Sequence, residues 1–172
     1  MLRDTVRAAT GMLPPENWAY ERNVPRYSYN PVEARHLLET AGYSPDSARL
    51  EFVYKTTPEG RRLAEAIQAM LQRVGIKLDI HTNEWATFYS DLRGQFRPRC
   101  RPDFSAFAEE YFLFFDSRMV PPFGNDRGAY ANPEMDRLLE SAEVTLDASR
   151  RRAIFSEVQR LAARDLPYVP RW

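Results

Sequence analysis

Apolar positions along the chain change their period several times, and the changes divide it into elements. Ala34, Leu37, Leu38 and Ala41 recur at helical spacing behind Asn30-Pro31, a capping residue followed by a residue pre-set for a first helical turn. Glu33 stands at the capping-box position and Gly42 closes the run, which predicts a short helix. Leu50, Phe52 and Tyr54 then alternate with Glu51 and Val53, as a strand does. Residues 63, 67, 70, 71 and 74 return to helical spacing between Pro58 and Val74, and Gly75 stops them. Ile76, Leu78 and Ile80 alternate once more with Lys77, Asp79 and His81. Strand, helix and strand in this order predict a crossover unit, right-handed where the two strands are parallel neighbours.

Beyond Glu84-Trp85 the spacing predicts a short helical stretch through Phe88 and Leu92 to Gly94. The segment 96–104 (FRPRCRPDF) loses any period, and its two prolines and three arginines argue against a central strand. Tyr111-Phe112-Leu113-Phe114-Phe115 fits a buried strand or a buried helix, and periodicity does not choose between them. Residues 121–128 read as a loop. Asn132-Pro133 repeats the capping chemistry ahead of Met135, Leu138, Leu139 and Ala142. Asp147 caps a last helix running to about Asp165, with Ile154, Phe155, Val158, Leu161 and Ala162 inward. The Pro- and aromatic-rich opening, 1–29, and the closing segment, 166–172, read as extended. The fold class is α/β.

Composition narrows the function. A chain of 172 residues that is 44% apolar and 13% aromatic can bury the core of one domain. Its 24 lysines and arginines balance 24 acids, so no net field recruits nucleic acid or anionic membrane. Cys100 is the only cysteine, which rules out an internal disulfide and a CxxC metal knuckle. His36 and His81 lack a second histidine at helical spacing and read as structural or surface residues. No nucleophile elbow, phosphate-cradling Gly loop or diagnostic Cys-His pair is present, and the adjacent Glu109 and Glu110 do not make the opposed carboxylates of a glycosidase. The expectation is a binding protein, not an enzyme, with no cofactor and no metal. Residues 1–7 lack the apolar stretch of a signal peptide, and nothing later approaches a membrane span.

Several segments together resemble the family 5 solute-binding proteins, which include oligopeptide, dipeptide and nickel binders. They are Tyr27-x-Tyr29-Asn30-Pro31-x-x-Ala34-Arg35-x-Leu37-Leu38-x-x-Ala41-Gly42-Tyr43, then Ala66-Ile67-Gln68-x-x-Leu71-x-x-Val74-Gly75-Ile76-x-Leu78, then Glu84-Trp85-x-x-Phe88. Asn125-x-Arg127-Gly128-x-Tyr130-x-Asn132-Pro133-x-x-Asp136-x-Leu138-Leu139 and Val158-Gln159 with Asp165-Leu166-Pro167-Tyr168-Val169-Pro170 complete the set. The resemblance implies the second lobe of a two-lobed clamp of the periplasmic-binding-protein type II fold, a mixed sheet flanked by helices. It makes 1–172 a single partial domain whose first lobe is missing, with 166–172 returning toward that lobe. It places Met1 in the middle of a longer, exported protein, so that the export signal would lie upstream.

What the resemblance implies for function is capture of a peptide or similar small solute between two lobes and delivery to an ABC permease. A solute-sensing domain of a cytoplasmic regulator is the alternative, with a hydrolase behind it. Trp85, at the family's Glu-Trp position, is implied to pack on ligand; its other reading is a core tryptophan after a strand. Glu109 and Glu110 lie where peptide binders place an acid for the ligand's α-amino group, although the usual preceding Gly-Trp is absent, and a solvated acidic pair is the other reading. Arg127 has the planar fork to meet a ligand carboxylate or to brace its own loop. Gly60 stands where peptide binders use a histidine.

Overall fold

The computed structural model describes residues 9–43, 50–88, 108, 110–120, 123–126 and 128–169. The chain divides into a central unit, Ser28–Gln95, and a flanking unit built from Met1–Tyr27 and Phe96–Trp172.

In the central unit, α1 (Pro31–Thr40) starts where the sequence predicts, with the Asn30 side chain accepting the Glu33 N–H at 3.1 Å. It stops in a Schellman turn. Gly42 takes a left-handed φ of 87°, its N–H reaches Glu39 O, and Tyr43 N–H reaches Leu38 O. Strands β1 (Glu51–Thr56) and β2 (Lys77–Thr82) are parallel, with Phe52 opposite Leu78 and Tyr54 opposite Ile80. Helix α2 (Arg61–Gln72) connects them, so the crossover unit expected from periodicity is present. The helix begins later than its apolar spacing suggests, because Pro58–Gly60 form a 3₁₀ turn ahead of it. Tight turns of this kind are common at helix starts, and Gly60 is a poor residue for a helix interior.

α2 covers part of the sheet: Ala64 and Leu78 are buried, and Gln68 Nε2 donates to Leu78 O at 2.6 Å. Elsewhere this unit leaves apolar side chains in water. No residue of α1 is buried, Leu37 is 58% exposed, and Phe52, Val53 and Met70 are also exposed. Two strands and one crossing helix offer too little area to cover both faces of a parallel pair, which in α/β proteins are normally both covered.

The flanking unit is helical among its described residues: α3 (Glu110–Phe115), α4 (Pro133–Val144) and α5 (Ala148–Asp165), with a 3₁₀ turn at Ser117–Met119. The aromatic run is therefore a helix. Tyr111 and Phe115, one turn apart, are buried and stack at 5.1 Å, while Leu113 between them is exposed. Met135, Leu139 and Ala142 of α4 and Phe155, Val158 and Leu161 of α5 complete the core, with Leu13 and Ala19 from the opening segment. Burial raises the Tyr111 phenol pKa above its ordinary value.

Buried Asp116 accepts the Arg118 backbone N–H at 2.9 Å, and pairs with the Arg118 guanidinium at 2.6 Å. The guanidinium, and then the backbone N–H, hold this carboxyl below its usual range against the opposing effect of burial. A depressed folded pKa adds stability that is complete above the unfolded value, about 3.9, and that disappears as pH falls through the lower folded value. Urea titrations at pH 7 and near pH 3 should therefore show acid weakening the fold, and Asp116→Asn should lose less stability over that interval than the parent. An equal loss in both would remove Asp116 from the acid response. Among the described residues no helix is long and apolar enough to cross a membrane, and no cluster of metal-ligating side chains occurs.

Candidate functional site

In a parallel α/β sheet, ligand crevices form outside the carboxyl ends of the strands. In the central unit those ends are Thr56 and Thr82, and the ladder runs one step further through a hydrogen bond from Asn83 N–H to Thr56 O. Trp85 follows directly, at the start of a helical turn over 85–88. The residue is 59% exposed, and its ring lies 6.0 Å from the Phe88 ring at a 36° tilt.

Sequence reasoning missed a cation. Arg61, the first residue of α2, reaches the same strand end: Nη1 lies 3.4 Å from Thr82 Oγ1, and Nε donates to Glu65 at 2.8 Å. The carboxylate one turn along fixes the guanidinium while more than half of the side chain stays exposed. Its signal was position alone, the first helical residue after a strand and a tight turn. Gly60, just before it, sits so close to β1 that a Cβ there would meet Thr56 Oγ1.

A groove of about 700 Å³ also opens in this unit, lined by Arg35, Leu38, Tyr43, Leu50, Ile76 and Leu78 among others. It lies by the amino-terminal end of β2, away from Trp85. The strand carboxyl ends make the better candidate, since an exposed tryptophan follows them in the chain and a cation reaches Thr82. Of the other expected site residues, Glu110 opens α3 in the flanking unit, and Glu109 and Arg127 lie outside the described residues. His36 and His81 are both exposed.

Comparison with known proteins follows the same outline. The chain is 25% identical over 178 residues to di/tripeptide-binding protein 2 of Pseudomonas aeruginosa, covering 97% of this chain and 32% of the relative. It is 24% identical over 159 residues to the dipeptide-binding protein of Escherichia coli, covering 88% and 30%. Among solved structures, the oligopeptide-binding protein AppA of Bacillus subtilis, in complex with a nonapeptide, superposes with a TM-score of 0.78 at 25% identity, over 94% of this chain and 35% of that one. The periplasmic binding protein DppA of Helicobacter pylori, in complex with the peptide STSA, does so with a TM-score of 0.74 at 26% identity, over 95% and 33%. The fold is that of the periplasmic binding proteins, and the chain spans about a third of the length of the curated relatives it matches. A family model described as the middle region of bacterial extracellular solute-binding proteins, family 5, matches residues 1–98, and the chain belongs to that family.

Proposed function

We propose that this chain is the second-lobe part of the solute-binding component of an ABC importer. It captures a peptide or a similar small solute between two lobes and delivers it, unaltered, to a membrane permease. The working location is outside the cytoplasmic membrane, and closure is a hinge motion selected by ligand. The observation that carries this reading is Trp85, an exposed indole just beyond the carboxyl ends of two parallel strands, in a chain of this family. A flat ring there gives contact area tolerant of varied side chains, and Arg61 supplies a planar fork for a carboxylate. Glu109 and Glu110 belong to the same proposal as partners of a ligand amino group, and Arg127 as a second carboxylate partner.

The test is Trp85→Ala in a protein that carries both lobes, titrated with di- and tripeptides and melted in parallel. Loss of an aromatic hot spot should cost about 2 kcal/mol, roughly thirtyfold in Kd. The melting temperature should move by only about 2 °C, since exposed substitutions usually cost within about 0.5 kcal/mol. Unchanged affinity with a large fall in melting temperature would make Trp85 a packing residue and remove it from the ligand wall.

A further inference from the structure

In the flanking unit, three locally unfavourable choices converge on one hydrogen bond. Among the described residues, the non-glycine positions with positive φ are Ala129 at 47° and Leu166 at 48°. Side chains other than glycine rarely adopt this conformation. α1 meets the same need with Gly42, and Gly75, at a φ of 90°, does so in the turn that follows α2, whereas α5 ends on leucine. Leu166 also precedes Pro167, whose ring disfavours helical backbone in the residue before it. The third choice is Asp165, a carboxylate in the last position of an 18-residue helix, where the helix dipole is already negative.

These positions adjoin one another. Ala129 precedes Tyr130, Leu166 follows Asp165, and Tyr130 OH donates to Asp165 Oδ2 at 2.6 Å. Asn132 Nδ2 donates to the same oxygen at 2.8 Å while Asn132 Oδ1 caps α4 through Glu134 N–H; Arg164 Nε donates to Asp165 Oδ1 at 3.0 Å. The segments on either side also touch. Tyr168 OH donates to Asn125 O at 3.3 Å and approaches Asp126 Oδ1 at 3.4 Å, and its ring stands edge-on to Phe115 at 5.3 Å. A sequence that breaks local rules on both sides of one bond has placed strain where that bond must hold it.

We propose that the Tyr130–Asp165 bond is a strained latch, which holds residues 128–130 and 166–169 in their present paths and whose opening frees both segments together. With the latch open, Leu166 relaxes out of the left-handed region, the backbone beyond α5 changes direction, and Tyr168 leaves the aromatic face of α3. The device rests on the flanking unit alone and stands whether or not the solute-binding reading does.

Amide hydrogen exchange on the whole 172-residue chain tests it with Tyr130→Phe, Leu166→Gly and the double variant. Tyr130→Phe keeps the ring on Phe115 and removes only the donor. Exchange should rise about tenfold or more at 128–130 and at 166–169 together, with α4 and α5 still protected. Leu166→Gly discriminates by its sign. Glycine loosens an ordinary site, but here it removes strain, so it should slow exchange at 166–169 and reduce the Tyr130→Phe effect to less than about threefold in the double variant. A rise confined to 128–130 would overturn the latch, as would faster exchange when glycine is added. General loss of protection through α4 and α5 would also overturn it, by making the bond part of global stability; Asp165→Ala, which removes the acceptor, repeats the measurement from the other side.

Discussion

Phe115→Ala should destabilise the flanking unit by about 3–5 kcal/mol, the range for truncating a buried phenylalanine, and should lower the melting temperature by roughly 6–20 °C. Phe115 is 2% exposed, stacks on Tyr111 and takes the edges of Tyr130 and Tyr168 at 6.1 and 5.3 Å. Its loss would leave a cavity faced by three rings, none of which can shift into it without breaking a hydrogen bond or an aromatic contact of its own. The control lies on the same helix: Leu113, exposed, should cost within about 1 kcal/mol when truncated. Denaturant curves showing the two variants equally stable would mean that α3 does not present this face to the core.

The second large effect belongs to Gln159. It is buried on α5, accepts the Glu21 N–H at 3.1 Å, and donates to Ala19 O at 2.7 Å and to Phe155 O at 2.9 Å. Gln159→Leu preserves the volume but strips partners from the Glu21 N–H and the Ala19 carbonyl. Each buried group left unsatisfied costs about 1–3 kcal/mol, so roughly 2–4 kcal/mol is expected in urea unfolding, together with faster amide exchange at residues 19–24. The Arg160–Glu21 ion pair at 2.8 Å would not offset this, being partly exposed. Wild-type stability in Gln159→Leu would show that the opening segment is held by its apolar residues alone.

Gln159 also marks a limit of what can be read from a sequence. The α5 pattern identifies Phe155, Val158 and Leu161 as inward, and they are. A glutamine beside them reads as solvated, because nothing local reveals that a backbone carbonyl from more than a hundred residues away will meet it. Elements governed by local chemistry were legible for the same reason. The Asn-Pro caps before α1 and α4, Asp147 before α5, and the crossover from β1 to β2 all follow from neighbours a few residues apart. The aromatic run was undecidable because periodicity does not separate a buried strand from a buried helix, and packing against α4 settles it only in the fold. At the candidate site, Trp85 was singled out by its match to the family's Glu-Trp position after a strand, whereas Arg61 carries no such match and is brought to Thr82 only by the packing of α2 on the strand pair.

The discontinuity of the flanking unit also orders events during synthesis. β1, α2 and β2 close their pairing within a single stretch of chain, so the central unit makes its contacts as soon as that stretch is available. The opening segment must wait. Its anchors, from Gln159 Nε2 to Ala19 O and from Arg160 to Glu21, span 140 and 139 residues, and α5 is made well after the central unit. Closing so long a loop carries an entropic cost that only the completed helix offsets, and such non-local pairing is slow. Until then Leu13 and Ala19, buried in the folded unit, remain apolar surface on a growing chain, the kind of exposure that invites aggregation or a chaperone. Any truncation that stops before α5 should leave those residues permanently unpartnered, and the nascent flanking unit unable to form its core.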